Sequence, residues 1–182
     1  MTKIAKIFLA DGFEETEALV PYDILKRGGV DVALVSVMPT EKVTSSHGVT
    51  VEAHQLLSQG LGGYDLLMLP GGMPGTLNLA ACGALCQELK VAASQGKLIG
   101  AICAAPSVLG GLGLLRGRKA TCYPGFEEKL LEAEATGESV VEDGNFITAI
   151  GAGADFLFGL ALLARITDGE NAEKVKRQII LR

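Results

Sequence analysis

Lys97-Leu98-Ile99-Gly100-Ala101-Ile102-Cys103-Ala104-Ala105-Pro106 is the stretch on which the reading of this chain turns. Residues 97–102 are a short apolar run opened by a lysine, which reads as a buried strand. The pattern then changes to a cysteine, two alanines and a proline. Pro106 suits the first turn of a helix, where its missing N–H is no loss. Cys103 is therefore placed on a sharp strand-to-helix turn. Such a turn crowds the backbone, and Ala101 and Ala105 keep the flanking positions small. This is nucleophile-elbow geometry, with cysteine where hydrolases often carry serine. The thiol is expected to project from the carboxyl edge of a sheet, with its pKa lowered by the next helix N-terminus. A buried structural cysteine fits the same string, so both readings stand at this point.

Composition narrows the class. At 182 residues one domain with a substantial core is expected. Hydrophobic residues are 48% and charged ones 20%, and the mean hydropathy of +0.35 suits a parallel sheet buried on both faces. The longest apolar run, residues 156–164, is far short of a membrane span. No basic, apolar leader opens the chain, so no signal peptide is expected and a cytoplasmic location follows. The net charge of −5 without a basic cluster argues against nucleic acid as a partner. Cys82, Cys86, Cys103 and Cys122 then read as free thiols in a reducing compartment. Cys82 and Cys86 share a helix face, but no further ligand lies near them in sequence, so no metal site is expected.

In order, residues 4–10 read as a strand, and 14–27 as a helix closed by Gly28-Gly29, with Pro21 expected to bend or restart it. Residues 30–37 are a second strand, and 43–51 two short strands around Ser45-Ser46-His47-Gly48. A third core strand, 65–69, ends in Pro70-Gly71-Gly72, and a helix is expected over 76–94. After the Cys103 strand and its helix come a short strand at 119–123 and a helix at 126–135. A hairpin follows around Asp143-Gly144-Asn145, then an apolar helix at 153–167 and an amphipathic one at 170–180. Alternating strands and helices predict a single α/β domain, a flavodoxin-like doubly wound sandwich. Its mostly parallel sheet carries helices on both faces, with the ligand crevice at the carboxyl ends of the strands.

Three loops meet at that edge. Gly71 and Gly72 let backbone N–H groups turn toward a ligand, although a plain turn also explains them. The N–H of one of them with that of Ala104 makes an oxyanion hole beside Cys103. Glu14, Glu15 and Glu17 open the first helix, where acids favour the helix dipole. If Glu14 and Glu15 face solvent, Glu17 points inward. A carboxyl facing a cysteine in a partly dry crevice has a raised pKa and can donate a hydrogen bond to a thiolate.

Three motifs carry a family resemblance: Ala101 to Pro106, Leu69-Pro70-Gly71-Gly72, and Gly12-Phe13-Glu14-Glu15-Thr16-Glu17. Together they resemble the ThiJ/PfpI superfamily, most closely the branch of the Parkinson-disease-associated protein deglycase and its bacterial relatives. The resemblance covers essentially the whole chain. It implies a flavodoxin-like homodimer with an easily oxidised nucleophile at Cys103, its partner acid at Glu17, and oxyanion donors on the backbone of Gly72 and Ala104. Two positions depart from it. Cys122-Tyr123-Pro124 stands where many members place a histidine, leaving Tyr123 as a possible site residue. His47 stands in the loop that in the family carries an arginine across the dimer. On that basis His47 is expected to approach the partner's crevice, and His54 to lie on the surface.

The functional expectation is a cofactor-free, cysteine-dependent stress-response enzyme acting on small reactive carbonyls or glycated proteins, of the glyoxalase or deglycase type. Two alternatives stand beside it. One is a redox-sensing protein or chaperone whose Cys103 oxidises to sulfinate. The other is a cysteine hydrolase, weakened because neither histidine follows the Cys103 strand.

Overall fold

The structure, a computed structural model, describes residues 2–182. Its first half holds β1 (Ile4–Leu9), α1 (Glu15–Arg27), β2 (Asp31–Ser36), β3 (Lys42–Thr44), β4 (Thr50–Glu52), β5 (Gln55–Leu56) and β6 (Leu66–Leu69). Then come α2 (Gly75–Ala81), α3 (Gly83–Ser94), β7 (Leu98–Ile102), α4 (Pro106–Gly111), β8 (Lys119–Ala120) and β9 (Glu134–Ala135). The chain ends with β10 (Val140–Asp143), β11 (Phe146–Ala149), α5 (Asp155–Ile166) and α6 (Gly169–Gln178). The seven-stranded sheet runs β10-β11-β7-β6-β1-β2-β5, parallel throughout except for β10 at one edge.

Alternation along the central strands supplies two cores. Ile7 and Leu9 of β1, Met68 of β6 and Ile102 of β7 face one side, while Phe8, Leu67, Leu69, Ile99 and Ala101 face the other. Helices α1, α5 and α6 cover the first face, and α2, α3 and α4 the second. Burial on both faces is what the high apolar fraction of the sequence provides for. The β3–β4 hairpin docks onto the loop after β1 through Gly12 N–H to the Thr44 carbonyl (2.8 Å) and Ser46 N–H to the Phe13 carbonyl (2.8 Å).

Four local expectations change. Helix α1 runs unbroken through Pro21. Pro21 is buried against α5 at Gly159, where a side chain would collide with Ile24, so tertiary packing holds the turn that lacks its hydrogen bond. The expected helix over 76–94 is two, because Cys82 takes an extended conformation (ψ 95°) and caps α3 instead of continuing α2. The strand expected at 119–123 ends at Ala120; beyond it the Tyr123 N–H turns to the Cys103 carbonyl (2.8 Å). The helix expected at 126–135 is a single 3₁₀ turn over Glu127–Leu130 followed by β9. Of its apolar residues only Leu130 is buried, and Leu131 and Glu132 take positive φ (22° and 61°), which reverses the chain into a pairing with β8.

Candidate active site

The carboxyl ends of β1, β6 and β7 bring three loops together. Glu14 N–H donates to the Gly71 carbonyl (3.0 Å) and Gly75 N–H to the Gly12 carbonyl (3.1 Å). The approach is close enough that a Cβ at Gly72, whose φ is +86°, would lie 2.4 Å from the Glu14 nitrogen. Only glycine permits both that conformation and that contact.

Cys103 occupies the turn after β7 with φ 63°, left-handed backbone that a non-glycine residue adopts at a cost of about 1–2 kcal/mol. Its N–H donates to the Ala149 carbonyl (2.9 Å), and its carbonyl accepts from the Tyr123 N–H, so β11 and the loop after β8 hold the strained turn. Its side chain is half-buried. The sulfur faces the Glu17 carboxyl and the backbone N–H groups of Ala104 and Gly72. Gly71 stands at the junction: a Cβ there would lie 2.7 Å from Glu17 Oε2 and 2.8 Å from Cys103 Cβ.

Glu17 is 1% exposed. Glu14 caps α1 by accepting the Glu17 N–H (2.7 Å), which fixes the first turn and sends the Glu17 side chain inward. Glu17 Oε2 accepts the Gly71 N–H at 2.8 Å. Burial raises its pKa to about 7, and the negative charges of Glu14 and Asp155 add to the rise, against the lowering by its hydrogen bonds with Cys103 and Gly71.

The thiol departs from expectation. Burial, with the Glu17 carboxylate beside it, pushes Cys103 up to about 12, against the opposing pull of the Ala104 and Gly72 N–H groups. Helix α4 spans only Pro106–Gly111, and its N-terminus does not outweigh burial.

Tyr123 lies where the sequence suggests. It is 51% exposed, and its ring packs on Gly151, whose Cβ position is 3.5 Å from Tyr123 Cδ2 and 4.0 Å from Cys103 Sγ. His47 does not join the sulfur of its own chain; its Nδ1 pairs with Glu15 Oε1 at 3.1 Å on the surface. Ligand atoms of Glu14, Glu15 and His47 lie within 4.8 Å of one another, the one trio of this kind among the described residues, and all three side chains are already engaged, Glu14 as helix cap and Glu15 with His47 as an ion pair. His54 is exposed, stacks on Tyr22 and accepts the Leu34 N–H (2.9 Å).

Sequence reasoning passed over Asp155. It is 3% exposed at the start of α5, and its Oδ1 has no hydrogen-bond partner. Burial pushes its pKa up to about 7; a hydrogen bond from Thr16 opposes the rise and the charge of Glu14 adds to it. The only signal in the sequence is a lone acid heading an otherwise apolar helix, which reads equally well as a dipole partner.

Comparison with known proteins matches this architecture: the profile of the DJ-1/PfpI family fits residues 3–165, and the chain belongs to that family. Protein DJ-1 homolog B of Arabidopsis thaliana is 41% identical over 184 residues, covering all of this chain, which spans only 42% of that relative's length. The glutathione-independent glyoxalase DJR-1.2 of Caenorhabditis elegans is 32% identical over 171 residues, covering 92% of this chain and 90% of that protein. The structure of oxidized Toxoplasma gondii DJ-1 superposes with a TM-score of 0.95 at 36% identity, covering 98% of each chain.

The Glu17–Cys103 pair keeps its first proton in the folded chain up to about pH 7, as does Asp155, whereas the ordinary carboxyl values of Glu17 and Asp155 are 4.5 and 3.8. The folded state therefore binds more protons than the unfolded state between those limits, and stability falls as pH rises through the window. Asp155→Asn should flatten that fall and raise the urea midpoint at pH 8 relative to wild type. An unchanged slope between pH 5 and 8 would remove Asp155 from the balance.

Proposed function

We propose that this chain is a cofactor-free enzyme that converts small reactive carbonyl compounds, methylglyoxal first among them, through covalent attachment to Cys103. The observation that carries the reading is a single sulfur faced by a buried carboxyl and by two backbone N–H groups. Thiol and carboxyl act as one titrating unit, losing a first proton near pH 7 and a second near 12. Between those limits one proton remains. Glu17 is the more deeply buried of the two, which favours its neutral form, and the N–H groups of Ala104 and Gly72 favour charge on sulfur. The working state is thus a thiolate that accepts a hydrogen bond from a carboxylic acid.

With methylglyoxal the thiolate attacks the aldehyde carbon, a C–S bond forms, and the carbonyl oxygen takes the Glu17 proton. The Gly72 and Ala104 N–H groups hold the oxygen while its charge develops. The Glu17 carboxylate then accepts the C–H proton of the attacked carbon, and the electron pair passes into an enediol. Return of the proton to the neighbouring carbon leaves a lactoyl thioester, which water hydrolyses to lactate and free thiol. Methylglyoxal plus water gives lactate, so no external oxidant or reductant enters. Release of a sugar-derived adduct from a glycated protein would begin with the same attack. Kinship with a protein named a glyoxalase supports this reading.

The same contacts favour a second reading, in which peroxide oxidises Cys103 to a sulfinate held by Glu17 and the two N–H groups. A cysteine hydrolase fits less well, because both histidines are engaged elsewhere. Among the described residues no helix is long and apolar enough to cross a membrane, and the four cysteines are free, which suits a reducing cytoplasm.

Assembly belongs to the same proposal. Phe156 is 46% exposed and, with Leu19 and Val20 of α1, lines a largely apolar depression of about 270 Å³. A two-fold homodimer over this face would cover it and carry His47 toward the partner's crevice.

Lactate release from methylglyoxal tests the chemistry. Wild type should turn over, Cys103→Ser should lose activity altogether, and Glu17→Gln should lose at least about a hundredfold while staying folded. Activity retained in Cys103→Ser would exclude the covalent route, and oxidation by peroxide without turnover would favour the redox reading. Sedimentation equilibrium at micromolar concentration should return a dimer mass; a clean monomer would exclude the assembly.

A further inference from the structure

Tyr123-Pro124-Gly125-Phe126 sets two aromatic residues around a proline and a glycine, which favour the two central positions of a type II turn. The turn is closed by the Phe126 N–H to the Tyr123 carbonyl (3.0 Å), and Gly125 has the positive φ, 94°, that its position requires. It brings the two rings together edge to face, at 81° with centroids 6.5 Å apart. Phe126 is half-buried against the core on the second face of the sheet, and Lys129 Nζ lies 4.6 Å from its ring centre. Tyr123 is tethered by its N–H to the Cys103 carbonyl (2.8 Å), yet the residue is 51% exposed. A fixed aromatic ring is thus presented to solvent beside the nucleophile.

The ring and the sulfur border the same space. Gly151 has no side chain, and the point its Cβ would occupy lies 3.5 Å from Tyr123 Cδ2, 3.9 Å from Tyr123 Cε2 and 4.0 Å from Cys103 Sγ. These are ordinary van der Waals separations, so the space admits a carbon atom in contact with both groups. A substituent on a carbon bound to Cys103 therefore has the Tyr123 ring within reach. Because the turn, the Phe126 ring and the bond to Cys103 already fix that ring, it loses little freedom when a ligand packs on it.

We propose that Tyr123, braced by Phe126, is a specificity-determining residue whose ring stacks on that of an aromatic 2-oxoaldehyde attached at Cys103. The proposal rests on the carbonyl reading above and names its substrate class. Aromatic rings packed offset or edge to face gain more than the burial of their area, whereas methylglyoxal offers only a methyl group. The chemistry is unchanged. With phenylglyoxal a C–S bond forms at the aldehyde carbon, whose C–H proton and electron pair pass through the enediol to the ketone carbon. Water then cleaves the thioester. Phenylglyoxal plus water gives mandelate, so no oxidant or reductant enters.

The test compares kcat/KM for phenylglyoxal, read as mandelate, with that for methylglyoxal, read as lactate. Tyr123→Leu keeps apolar bulk and removes the ring, and the ratio of the two should fall by roughly fivefold or more, the worth of one aromatic pair. Tyr123→Phe keeps the ring and should hold the ratio within about twofold of wild type. Tyr123 is exposed, so both variants are expected to fold. A ratio unchanged in Tyr123→Leu overturns the proposal, and so does an equal fall in Tyr123→Phe, which would credit the hydroxyl. A wild type that turns over methylglyoxal but not phenylglyoxal also overturns it and leaves the carbonyl reading intact. If wild type turns over neither, the carbonyl reading fails. The ring is then judged by NMR of wild type with acetophenone, an unreactive aryl ketone. Shifts of the ring signals that Tyr123→Leu lacks support it, and their absence rejects it.

Discussion

A carboxyl group buried against a thiol is the constraint on which the rest of this molecule depends. Glu17 is almost wholly removed from water, and the groups facing it are the Gly71 N–H and the Cys103 side chain. Burying either group as an isolated ion would be costly, and sharing one proton lets a single negative charge persist at the site. The surrounding structure follows from holding that pair together. The Glu14 cap aims Glu17, the left-handed Cys103 turn aims the sulfur, and Gly71 leaves room for both.

The surroundings tune the pair from opposite directions. Ala104 and Gly72 offer N–H groups that stabilise charge on sulfur, while Glu14 and Asp155 place negative charge near Glu17 and oppose its ionisation. Both influences push the proton the same way, toward the carboxyl. Histidine is not needed for such a site, which is consistent with Tyr123 standing beside Cys103 and with His47 and His54 both engaged elsewhere. In the proposed reaction the acid would serve as proton donor and then as base, so that one residue covers both halves of an internal hydrogen transfer.

Much of this is legible in the sequence. The switch from an apolar run to Cys103 between two small residues, followed by Pro106, marks an elbow because only certain residues survive its crowding. The inward turn of Glu17 follows from helical geometry once Glu14 is the cap. What escaped detection depends on contacts distant in sequence. Residues 126–135 have helical spacing, yet only Leu130 finds a core, and pairing of β9 with β8 overrides local propensity. Cys82 looks like mid-helix until α3 is seen to start there. A helix N-terminus beside Cys103 is a local feature, whereas the burial, and the carboxylate that pushes the thiol up once Glu17 has ionised, arise from the assembled fold. Asp155 was passed over for the same reason.

The central claim is that Cys103 carries the charge and Glu17 the proton, and ultraviolet thiolate absorbance across pH, wild type minus Cys103→Ser, addresses it most directly. The account predicts an absorbance step near pH 7, where the pair loses its first proton. It also predicts that Glu17→Gln moves the step upward, because an amide is a weaker donor to sulfur than a carboxylic acid. A wild type without thiolate until pH approaches about 12, and a Glu17→Gln variant that forms it earlier, would show that the proton resides on sulfur and contradict the account.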